Sequence, residues 1–101
     1  MGPDSHVASL FRNHPTIGEK SAKVTLTDGG PKDIVPNRMT MTFPMINKAR
    51  HAGILIFGDW KRDIVSILKS KGVSDPRRYP VTGVNLEDGE QTWYIDHDAL
   101  L

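Results

Sequence analysis

The chain has 101 residues, 38% of them apolar and 25% charged, a composition that suits one soluble globular domain or part of one. Thirteen Lys and Arg stand against twelve Asp and Glu. This near balance gives no electrostatic case for a nucleic-acid or anionic-membrane partner. There is no cysteine, hence no disulfide framework and no thiol chemistry. The longest apolar run, residues 52–57, is far short of the ~20 residues a membrane span needs.

In chain order, "MGPDSHVASLFRNHP" opens with a turn-forming segment that holds two ionisable groups two residues apart. Val7, Leu10 and Phe11 then fall at helical spacing after Asp4 or Ser5 as N-cap, so a short helix is expected, stopped by Pro15. "KVTLT" is rich in β-branched residues and predicts a strand. "DGGPKDIVPN" is a loop. "RMTMTF" alternates and predicts a strand with one buried face, with Met39, Met41 and Met45 as core residues. Pro44 begins a short helix.

"AGILIFG" predicts a strand buried on both faces. "DWKRDIVSILKSKG" is the clearest helix. Asp59 is its expected cap, its apolar stripe is Trp60, Ile64, Val65, Ile67 and Leu68, and Gly72 is its stop. "QTWYID" predicts a last strand and "HDALL" a terminal helix. Trp60, Trp93 and Tyr94 are expected between helix and sheet. This order is an α/β alternation, the end of a doubly wound, mainly parallel sheet with flanking helices. Such sheets place ligands at the carboxyl ends of their strands, which singles out loops 2–6, 28–38 and 58–61.

His6 is the sharpest chemical candidate. A general base for water attack on an ester should titrate near neutrality, and an imidazole ordinarily does, at roughly 6.5. Asp4 is near enough to fix its tautomer. Arg38 and Lys61 suit a phosphate dianion, the first bidentately and the second as a point charge. Lys61 lies in the first turn of a helix, where a positive charge is mildly unfavourable unless an anion is bound. The four histidines share no metal-ligand spacing, Ser9 lies outside a G-x-S-x-G context, and Gly29-Gly30 is no dinucleotide fingerprint.

"MGPDSHVASLF", "PNRMTMTFPMINKARHAGILIFG" with "DWKRDIV" behind it, and "GEQTWYIDHDAL" resemble 6-phosphogluconolactonases in order and spacing, a family grouped with the glucosamine-6-phosphate isomerases. The second half looks most like the lactonase domain at the end of a bifunctional hexose-6-phosphate dehydrogenase of the endoplasmic reticulum. The resemblance spans the whole chain, residues 1–101, but only the last two-fifths or so of the family's domain.

The resemblance implies hydrolysis of 6-phospho-D-glucono-1,5-lactone, with His6 activating water and Asp4 beside it. It also implies Arg38 and Lys61 on the substrate phosphate, Lys32 as a further candidate there, and no cofactor. Implied partners are the phosphosugar lactone, the missing N-terminal part of the domain or a dehydrogenase domain, and a second copy against an exposed sheet. The compartment would be the endoplasmic reticulum lumen within the bifunctional enzyme and the cytoplasm otherwise. A non-catalytic phosphosugar-binding or interaction remnant is the alternative. In the family a Gly usually stands where Ser5 is and a Thr where Val7 is. Should Ser5 need a positive φ, the loop is strained by about 1 kcal/mol.

Overall fold

A computed structural model describes residues 1–28, 37–70 and 72–101. Lys32, the loop around it and Lys71 lie outside the described residues. The strands are β1 (Val24–Thr27), β2 (Arg38–Met41), β3 (His51–Ile56) and β4 (Glu90–Ile95). The helices are α1 (Phe43–Ile46), α2 (Arg62–Lys69) and α3 (His97–Leu100). Three 3-10 turns, Pro15–Gly18, Asp59–Lys61 and Pro80–Gly83, join them.

β3 and β4 run parallel, from His51 opposite Glu90 to Ile56 opposite Ile95. The crossover between them carries α2, the arrangement that parallel pairing requires. β1 and β2 form a separate antiparallel pair. The α/β class therefore holds, with β3–β4 as its parallel part among the described residues.

The core gathers on one side of β3. Ile54 and Ile56 point into it and meet Leu10, Ile17, Phe43, Val65, Val81, Val84 and Ala99. Gly83 is required here, because a Cβ would stand 2.4 Å from the Phe43 ring. The opposite face of β3 is bare: Leu55 and Phe57 are exposed, as is Tyr94 across from Leu55. Burial on both faces is thus corrected to burial on one. Of the aromatics expected between helix and sheet, only Trp93 lines the cleft with Ile56, Val65 and Leu68. Trp60 is 67% exposed, and the Lys61 ammonium sits 5.1 Å from its ring centroid.

The methionines are also corrected. β2 does bury one face, but it is the threonine face. Thr40 and Thr42 are buried, whereas Met39 is 73% exposed and Met41 and Met45 are exposed too. The reason is hydrogen bonding. Thr40 Oγ1 accepts from Ser9 N–H and donates to the Met41 carbonyl. Thr42 Oγ1 donates to the carbonyls of Ala22 and Lys23. An irregular loop packed on a strand needs such partners, and methionine supplies none of comparable strength.

The expected helix after Asp4 does not form. Ser5 and Ala8 have φ of 69° and 50°, outside the right-handed region, and the chain turns back so that Val7 bridges Leu10. Tertiary bonds replace helical ones: Gly2 N–H donates to the His6 carbonyl, Ser5 N–H to that of Gly2, and Val81 N–H to that of Ser5. Asp59 is corrected as well. No side chain caps either turn at 58–62, and the Asp96 carboxylate instead accepts Gly58 N–H at 3.1 Å from each oxygen.

Ser5 is fully buried, sits at positive φ, and its hydroxyl has no hydrogen-bond partner among the described residues. An unpaired buried hydroxyl costs about 1–3 kcal/mol and the left-handed backbone about 1 more. Glycine removes both and adds roughly 0.5–1 kcal/mol of chain entropy cost. Ser5→Gly should therefore raise stability by about 1–2 kcal/mol in urea unfolding. A destabilised Ser5→Gly chain would show that the serine is held by contacts this reasoning omits.

Candidate functional site

The loop at residues 2–6 closes a carboxylate onto an imidazole. Asp4 Oδ1 lies 2.6 Å from His6 Nδ1 and also accepts the His6 backbone N–H at 3.1 Å. A carboxylate only accepts, so in the neutral ring the proton sits on Nδ1 and the lone pair on Nε2. The side chains are 20% and 16% exposed, which leaves the pair reachable by a small molecule. Phe11 packs at 4.9 Å between ring centroids. On another side a Cβ at Gly2 would stand 2.3 Å from the imidazole, so only glycine lets the ring sit there. Gly2 is thus a site residue that sequence reasoning read as turn chemistry alone. Its signal was its place two residues before the carboxylate.

Burial by itself would raise the Asp4 value. The hydrogen bonds from the His6 ring and backbone and the His6 charge outweigh burial and hold the carboxyl below its usual range. Asp4 is consequently ionised wherever an imidazole titrates. Its contribution to stability is complete above the ordinary carboxylate value and is lost as pH falls through the lowered one.

Arg38 begins β2, and its Nη1 donates at 3.3 Å to Oγ of Ser9, three residues beyond His6. Lys61 ends the turn Asp59–Lys61 and stands at the N-cap of α2. Its charge, after burial as the larger cause, lowers the value of the Met1 amino group. Met1 N–H in turn donates to the Leu55 carbonyl at 2.9 Å. Ser9 thus holds Arg38, and the Lys61 charge acts on the Met1 amino group that bonds Leu55 near the carboxyl end of β3. Gly58, at φ 99°, turns the chain toward Lys61. A Cβ there would meet the Trp60 ring at 2.1 Å. Asp96, which holds this turn, is a positioning residue that the sequence reading passed over.

Size is a poor guide to this site. A cleft of about 470 Å³ is lined by Glu19, Lys20, Lys23, Lys48 and Glu87 among others, and by none of His6, Arg38 or Lys61. The candidate site is marked instead by the Asp4–His6 pair. Such a pair can take a proton from water. Among the described residues, no three His, Asp or Glu come together as a metal-ligand group.

The whole architecture has solved counterparts. A devB protein superposes with a TM-score of 0.81 at 23% identity, covering 97% of this chain and 40% of that one. The 6-phosphogluconolactonase of Leishmania guyanensis gives 0.77 at 23% identity, covering 97% and 37%. Among curated relatives, the human GDH/6PGL endoplasmic bifunctional protein is 36% identical over all of this chain and 12% of its own length. The rice protein "Probable 6-phosphogluconolactonase 4, chloroplastic" (Oryza sativa subsp. indica) is 38% identical over 99% of this chain and 31% of its own. The chain thus spans about a third or less of these two curated relatives. Residues 1–93, the candidate site included, match glucosamine-6-phosphate isomerases/6-phosphogluconolactonase, and the chain belongs to that family.

Proposed function

We propose that this chain supplies the general base and part of the phosphate grip of a 6-phosphogluconolactonase, hydrolysing 6-phospho-D-glucono-1,5-lactone to 6-phosphogluconate. The observation that carries the reading is the Asp4–His6 pair at 2.6 Å. His6 Nε2 removes a proton from water as the oxygen attacks the lactone carbonyl. The tetrahedral intermediate then expels the ring oxygen, which takes the proton back from the imidazolium. Asp4 holds the tautomer and stabilises the imidazolium without becoming protonated. Arg38 and Lys61 bind the phosphate and set the carbonyl against Nε2. Names of relatives support the substrate class, since both 6-phosphogluconolactonases and a GDH/6PGL protein are among them.

A second reading is a non-catalytic phosphosugar-binding or interaction module. The strained, unsatisfied Ser5 in the base loop favours it. Catalysis by the complete domain, and its loss on changing His6, separates the two.

His6→Asn in the complete domain should lower kcat by roughly 10²–10⁴-fold with little change in KM. Lactone opening is also spontaneous, so the assay is run cold in mildly acidic buffer. A variant with undiminished kcat would remove His6 as the base.

Arg38→Ala and Lys61→Ala should mainly raise KM and weaken 6-phosphogluconate inhibition, each by about 10–100-fold, since a charged hydrogen bond contributes about 1.5–3 kcal/mol. If both variants still discriminate normally between phosphorylated and free gluconolactone, the phosphate is held elsewhere.

The bare face of β3 and β4 leads to a last expectation. Alone, the 101 residues should show negligible lactonase activity and either self-associate or unfold at low denaturant, whereas a version extended upstream should be active. Sedimentation, urea unfolding and assay of both decide this. A stable monomer as fast as the extended protein would show that these residues make a complete site.

A further inference from the structure

We infer that Ser9 is a positioning residue that couples the general-base loop to the phosphate grip by aiming the Arg38 guanidinium. The inference rests on the proposal that Arg38 binds the substrate phosphate. Ser9 lies three residues beyond His6 and is 8% exposed. Both of its polar groups face β2. Its N–H donates to Thr40 Oγ1 at 2.9 Å, and its Oγ accepts from Arg38 Nη1 at 3.3 Å. Thr40 is itself fixed, buried and donating to the Met41 carbonyl at 2.9 Å.

Arg38 and Thr40 are two apart on one strand and so share a face. Ser9 therefore bridges two consecutive side chains of that face. The loop is registered against β2 by the bond to Thr40, and the bond to Arg38 uses that register to orient a long, flexible side chain. Ala8, at φ 50°, makes the turn that delivers Ser9 to the strand. The choice of a hydroxyl matters chemically. A carboxylate would orient the guanidinium but add a negative charge beside an incoming dianion. A hydroxyl orients it and adds none. The distance from the proton-accepting nitrogen of His6 to the phosphate-binding nitrogen of Arg38 is then set by a three-residue link, which fits catalysis that depends on placing a bound ester and its attacking water against a base.

The test uses the complete domain with 6-phosphogluconolactone and with free gluconolactone. Ser9→Ala should raise KM for the phosphorylated lactone about 3–10-fold, as loss of one hydrogen bond predicts, with kcat within about twofold. The rate on free lactone should not change. Ser9→Thr, which keeps the hydroxyl, should restore KM, and Ser9→Ala should add nothing in an Arg38→Ala background. If Ser9→Ala fails to fold, Ser9→Cys replaces it, being close in volume and a weak acceptor. Equal loss of rate on both lactones would show that Ser9 only supports the loop and would overturn the inference. So would an unchanged KM in Ser9→Ala when Arg38→Ala raises it. An Arg38→Ala enzyme with normal KM would instead remove the phosphate reading of Arg38, and this inference with it.

Discussion

The site depends on holding an imidazole against a carboxylate two residues away, within a segment too short to be a helix or a strand. A regular helix would turn Asp4 and His6 to different sides, since residues two apart do not face each other on it. Bringing them to 2.6 Å demands irregular backbone, and irregular backbone demands other partners for its N–H and C=O groups. Those partners define the surrounding structure. Val81 N–H holds the Ser5 carbonyl, Thr40 holds Ser9 N–H, and the first residues bond one another. The 3-10 turn at Pro80–Gly83 and the threonine face of β2 therefore support the candidate site from outside it. The constraint also accounts for Gly2, whose missing Cβ is what lets the His6 ring close on Asp4.

The sequence disclosed the order of elements well because periodicity and breakers carry that information locally. β1, β2, β3, β4, α1, α2 and α3 all appear where the pattern put strands and helices. It also disclosed Asp4, His6, Arg38 and Lys61 as chemically apt types. What it could not disclose was which partner each polar group would find. Leu10 and Phe11 are buried, as a helical stripe there would require, yet the helix is absent because Ser5 and Ala8 take positive φ for tertiary bonds. Apolar alternation in β2 pointed to methionine inside. The buried threonines contradict hydropathy because the loop above them needs oxygen partners. Asp96 was illegible for a related reason. It caps α3 by accepting Ala99 N–H, a local role, and holds Gly58 from 38 residues away, a role with no local trace.

Exposed apolar residues complete this physical picture. On the outer face of the hairpin, Val24 pairs with Met41 and Leu26 with Met39, and all four are exposed. Met41 continues into an apolar trough with Met1, Ala52, Leu55 and Val84. Neighbouring exposed apolar side chains of this kind form surface that a partner or a further copy could cover. The trough borders the core directly, because Ile54 and Val84 belong to both and Met1 packs against the core.

The same geometry separates two demands that could have conflicted. A base must be accessible enough to meet water, and its supporting carboxylate must stay ionised without being fully solvated. Two hydrogen bonds from His6 keep the Asp4 charge favourable despite burial, so the carboxylate needs no cation of its own. Arg38 is engaged by Ser9, and Lys61 lies by Met1 and Trp60. These positive side chains therefore have neighbours other than Asp4, while the Asp4 charge turns to the imidazole. Because the carboxylate takes Nδ1, Nε2 is the ring nitrogen left without that partner, which the proposed role of His6 requires. A ring turned over, with Nε2 on the carboxylate, would leave the proposed base tied down. The two-residue spacing of Asp4 and His6 favours the observed pairing, since the same Asp4 oxygen also accepts the His6 backbone N–H, and the missing Cβ of Gly2 leaves the ring room to take it.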